Sequence, residues 1–83
     1  MYADVTRFVK VKKRRFALRN RWEWCLYERA EYGDTVAVER PILELVGELH
    51  PMAIRITGRA KTEAEAEHAG TKALESWRGT HGL

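Results

Sequence analysis

KKRRFALRNRWEWCLYER, residues 12–29, sets two tryptophans one residue apart behind a run of four cations. The parity of its side chains decides the fold. In an extended chain, successive side chains point to opposite faces. Trp22, Trp24 and Leu26 then share one face, and Glu23, Cys25 and Tyr27 the other. Phe16 and Leu18 extend the apolar set upstream, alternating with Arg15, Ala17 and Arg19. Asn20-Arg21 reads as a tight hairpin turn, because asparagine tolerates positive φ. Val5, Val9 and Val11 alternate in the other phase, which places a bulge or turn within Lys12–Arg15.

Downstream, PMAIRITGRA alternates as a half-buried strand, with Met52, Ile54, Ile56, Gly58 and Ala60 on one side. Gly58 marks a bulge or a close approach of the helix backbone. Thr62 and Glu65 have the spacing of a capping box. Ala66, Ala69, Gly70, Ala73, Leu74 and Trp77 then form one helical stripe, and Gly79 suits the residue just past the end. A helix over about 63–78 follows. Its small residues let it lie close over a sheet whose large side chains are Trp22, Trp24, Leu26, Ile54 and Ile56. Tyr-Gly-Asp at 32–34 reads as a turn and Thr35–Glu39 as a short strand. Residues 41–49 admit two readings, a short amphipathic helix opened by Pro41 or a strand. Pro51 ends either one. Their five large aliphatics serve the core, a dimer contact, or a patch for another partner.

The fold expected is α+β: one domain over 1–83, an antiparallel sheet of three to four strands, and one C-terminal helix on one face. Apolar residues make up 45% and charged residues 33%, a globular composition. No apolar run reaches the roughly 20 residues that span a bilayer, and no signal-peptide pattern opens the chain. A single cysteine rules out an internal disulfide, so a cytoplasmic protein is expected, with no membrane contact.

Catalytic motifs are missing. Ser76 lies in the helix without a glycine-rich elbow, and Cys25 has no histidine beside it in sequence. His50, His68 and His81 are far apart, and no phosphate-binding or zinc motif occurs. The expectation is a non-enzyme without metal or cofactor.

The charge is uneven. Residues 1–30 hold nine Lys/Arg against three Asp/Glu, and residues 31–83 hold six against nine. Strand parity sends Arg15, Arg19, Tyr27, Arg55 and Arg59 to the open sheet face, with Glu23 and Thr57 among them. Arginine and tyrosine there suit partner binding, or simply a solvated face. Lys10, Lys12, Lys13 and Arg14 either contact phosphates or guard a strand edge against aggregation. The tryptophans are core under the helix or, alternatively, a base-stacking platform.

The W-x-W-x-L-Y-E strand, followed by ITGRAKTEAEAEHAGTKAL as strand, cap and alanine-rich helix, resembles small orphan proteins of bacteriophages and GC-rich bacteria over residues 14–78. The layout is also similar to the sheet-plus-helix core of HicB-type antitoxins, without the glycine and proline signature between their strands. The phage resemblance implies an accessory protein that binds and modulates a host protein. The alternative is a nucleic-acid-binding protein using the basic N-terminal half, and a homodimer is a third option.

Overall fold

The computed structural model describes residues 4–16, 18–33 and 36–80. Ala17, Asp34, Thr35 and His81, singled out above, lie outside the described residues, as do residues 1–3. The elements in chain order are β1 (Asp4–Lys13), β2 (Trp22–Tyr32), β3 (Val36–Pro41), β4 (Leu43–Val46), β5 (Met52–Arg55), β6 (Thr57–Ala60) and α1 (Glu63–Thr80). The fold is α+β, an antiparallel four-stranded sheet with the C-terminal helix packed on it and a second, two-stranded sheet beside it.

The stretch from Trp22 is a strand, as its parity predicts, and it is the central one of the sheet. β1 pairs along its whole length, from Lys13↔Trp22 to Asp4↔Glu31. Two strands share the opposite edge end to end: β6 from Trp22↔Ala60 to Cys25↔Thr57, and β3 from Tyr27↔Pro41 to Tyr32↔Val36. Leu26 is the changeover. Its N–H donates to the Ile56 carbonyl (3.0 Å) and its carbonyl accepts from the Ile42 N–H (2.9 Å). Between Ile42 and Ile56 the chain leaves the sheet as an arm, in which β4 pairs with β5 from Leu43↔Arg55 to Val46↔Met52. Gly47 ends β4 with φ +106°, a conformation open to glycine and strained for other residues.

The helix starts on the hydroxyl half of its expected capping box. The Glu65 N–H donates to the Thr62 hydroxyl (3.1 Å), and the Ala66 N–H to the Thr62 carbonyl (3.0 Å). The helix packs on β1, β2 and β6. At Gly70 an added Cβ would collide with Val9 Cγ1 and lie 3.2 Å from Trp24 Cβ. At Gly58 it would meet the Trp24 indole at 2.6 Å. Trp24 is therefore fitted between two glycines, one across the strand and one in the helix. Leu26, Ile42 and Leu74 form the buried centre, flanked by Val9, Trp24, Ile56, Ala73 and Trp77.

Several expectations change. Phe16 and Leu18 do not go under the helix: they are 91% and 92% exposed in the connection between β1 and β2. The phase slip at Lys12–Arg15 is the end of β1, and no strand partner reaches the alternating residues after it. The Arg14 N–H closes this loop onto the Arg21 carbonyl, and Asn20 takes φ +50° inside it. The short helix over 41–49 gives way to the strand reading, because Gly47 turns the chain into a hairpin. The strand over 52–60 breaks at Ile56, so Ile54 sits exposed on the arm while Ile56 joins the core. Gly79 lies inside the helix rather than beyond its end.

Candidate functional site

The face of the sheet away from the helix is built row by row from strand register. Lys12, Glu23 and Arg59 form the row nearest the β1–β2 loop, then Lys10, Cys25 and Thr57, then Phe8, Tyr27 and Pro41, then Thr6, Arg29 and Glu39, and last Asp4, Glu31 and Ala37. The face thus grades from basic beside the loop to mixed and acidic at the far end.

Its middle holds an aromatic and cationic cluster. The Phe8 and Tyr27 rings lie 6.1 Å apart, tilted by 33°. Lys10 Nζ stands 4.5 Å from the Tyr27 ring and donates to Glu39 Oε2 at 2.9 Å. That hydrogen bond raises the Lys10 pKa and holds the Glu39 carboxyl below the ordinary glutamate range. Lys10, Lys12, Glu23, Cys25 and Tyr27 line a cavity of about 310 Å³. Cys25 sits buried at its floor. Burial pushes the thiol up, and the positive charge of Arg55 pulls it only part of the way back. The thiol is accordingly a poor nucleophile.

At the basic end, Lys13, Arg14, Arg15 and Arg21 line one hollow, and Lys61 joins Leu18, Arg19, Asn20 and Arg21 around the next. Arg14 makes an ion pair with Glu23 at 3.7 Å. Arg15, Arg19, Arg21, Lys12, Lys13, Arg59 and Lys61 are exposed around it. Phe16 and Leu18 rise from the same loop.

Of the residues expected on the open face, Tyr27 and Arg59 lie there with Glu23 and Thr57. Arg15 and Arg19 sit at its basic end, in the loop rather than on a strand. Arg55 belongs to the foot of the arm. Lys12, Lys13 and Arg14 join the basic end, while Lys10 is engaged with Tyr27 and Glu39 in the middle of the face. The sequence reading missed Lys61, which only the folding of the loop beside β6 brings next to Arg19 and Arg21. It also missed Phe8, whose place opposite Tyr27 follows once β1 and β2 are in register.

Trp24 and Trp77 offer no stacking platform, since Trp24 is packed between Gly58 and Gly70 and Trp77 carries the Arg7 guanidinium 5.0 Å over its ring, while Trp22 is half-buried at the start of β2. Arg7 also approaches Glu28 at 3.9 Å, too long for a hydrogen bond, and its buried Nε has none. Among the described residues no cluster of His, Cys, Asp or Glu could hold a metal ion, and no helix is long and apolar enough to cross a membrane. No family model, curated protein or solved structure matches the chain.

Proposed function

We propose that the chain is a non-enzymatic binding protein that holds an acidic surface of a host protein against its basic loop and open sheet face. It modulates that protein as phage or mobile-element accessory proteins do, in the reducing cytoplasm. One observation carries the reading. The loop and the first row of the face gather Lys12, Lys13, Arg14, Arg15, Arg19, Arg21, Arg59 and Lys61 at one end, and among the described residues there only Arg14 is drawn into an ion pair, with Glu23. Such a concentration of like charge raises the local potential and steers an anionic partner to that end. The Tyr27 and Phe8 rings, set among cations, supply aromatic contact beside it.

The test is affinity capture from host lysate after nuclease treatment, with wild type beside an Arg15→Glu/Arg59→Glu double variant. A partner retained by wild type and lost by the variant is the expected result. An identical set of retained proteins removes this surface from the function.

A second reading has its own observation: Phe16 stands 91% exposed among the loop arginines, where a single-stranded base could stack. Retention of a mixed-sequence RNA or DNA oligonucleotide at low salt, reduced in Lys12→Glu/Arg15→Glu and again in Phe16→Ala, favours nucleic acid. Three to five phosphate contacts to a single strand correspond to a slope of log K against log salt of about −2 to −3.5. Retention that neither variant changes excludes it.

A further inference from the structure

We propose that the β4–β5 arm is a dimerisation element, covered in solution by a second copy of this chain. Every residue of both arm strands is exposed. Paired residues of an antiparallel ladder share a face, so Leu43, Leu45 and Ala53 occupy one side of the arm with Arg55, and Val46, Met52 and Ile54 the other with Glu44. Leu45 is 76% exposed, Met52 66%, and Leu49 at the tip 89%. A lone two-stranded hairpin is marginally stable in water, and one with three apolar residues on each side is suited to being covered.

The surface area is in keeping with a second copy as the occupant. The chain exposes 6913 Å², whereas a compact monomer of its mass exposes about 5,100 Å². The excess of about 1,800 Å², to which both the arm and the exposed β1–β2 loop contribute, falls in the range of about 1,000–2,500 Å² that each partner of an obligate homodimer buries. The radius of gyration, 14.6 Å, likewise exceeds the roughly 12 Å of a compact chain of this length.

Charge and hydrogen bonding agree. Residues 43–55 carry Glu44 and Glu48 against Arg55. Two arms can therefore meet with little repulsion, and the arm holds no cationic patch for an acidic partner. The second sheet is β4 and β5 alone, so the outer edge of each strand keeps backbone donors and acceptors that a copy can pair. A two-fold axis places the same patch on both sides and closes the assembly.

Light scattering after size exclusion, across micromolar to millimolar chain, tests this. Wild type is expected at twice 9.6 kDa. A Leu45→Glu/Met52→Glu variant, one charge on each side of the arm, weakens the dimer by about 100-fold or more. The far-UV circular dichroism of its body stays intact. Arg15→Glu/Arg59→Glu remains dimeric, so failure of the acidic-partner reading and failure of this one are separable. If the arm variant does not fold, amide exchange on wild type decides: protection of β4 and β5 must rise with protein concentration. A strict monomer at every concentration, a dimer insensitive to the arm variant, or concentration-independent exchange overturns the proposal.

Discussion

Gly70 is the point where the helix can come no closer to the sheet, with Val9 and Trp24 occupying the space a methyl would need. Alanine in a helix interior normally stabilises by up to about 1 kcal/mol over glycine, but overpacking a tight contact costs about 1–3 kcal/mol. Gly70→Ala should therefore lower stability, and Gly58→Ala should do so too by displacing the rigid Trp24 ring. Gly79→Ala meets nothing within 4 Å and should gain about 0.5 kcal/mol. Urea denaturation of the three variants checks the order, and a Gly70→Ala more stable than wild type would refute the close approach. The Lys10–Glu39 contact makes a second test. Glu39 is held below the ordinary value of 4.5, so its contribution is present above that pH and is lost as pH falls through the lower folded value. Lys10 is raised above 10.5, so its contribution is present below that and is lost as pH rises through the higher folded value. In Lys10→Gln the Glu39 carboxyl midpoint, followed by NMR, should move up toward 4.5. An unmoved midpoint would show that the contact does not persist in solution.

At the level of elements, what could be read from sequence was what neighbouring residues determine. The helix start is local, a hydroxyl three residues before the N–H it accepts from. Thr62→Ala should cost about 1 kcal/mol of stability by thermal unfolding. The parity of Trp22–Tyr27 was also legible, since one face must be apolar whichever strands pair with it. Phe16 and Leu18 show the limit: alternation marks a strand only where a partner strand exists, and β2 begins too late to pair with them. The break at Ile56 was invisible for a related reason. A chain that changes partner from β4 to β2 keeps its alternation, so parity carries no trace of the exchange at Leu26. The hairpin over 43–55 did leave a signal, in Gly47. Glycine inside a supposed helix costs about 1 kcal/mol, while at a turn it supplies the positive φ. The basic end drew on residues far apart in sequence, and Lys61 reached it only through the β2–β6 pairing.

On the scale of the whole molecule, the buried residues among those described reduce to Cys25, Leu26, Ile42, Ala66, Gly70 and Leu74, a small core for a domain of 83 residues. Domains of this size are marginal even when compact, and an arm held clear of the body adds ordered backbone with little burial. Folding coupled to the proposed dimerisation would offset that deficit and leave a thermodynamic mark. For a dimer that unfolds to two chains, each tenfold rise in concentration adds about 1.4 kcal/mol to the stability of the dimer. Unfolding entropy near 2.1 cal/mol/K per residue, summed over two chains, converts this to a rise in Tm of about 4 °C per tenfold. A monomer shows no such dependence. Wild type should follow the dimer line by calorimetry, whereas Leu45→Glu/Met52→Glu should unfold at a lower Tm that concentration does not move. A Gly70→Ala chain, damaged in the body but not in the arm, should show a lower Tm with the slope retained, because the arm contact remains. If the Gly70→Ala chain instead loses the slope while the arm variant keeps it, the helix-covered body, not the arm, joins the two copies.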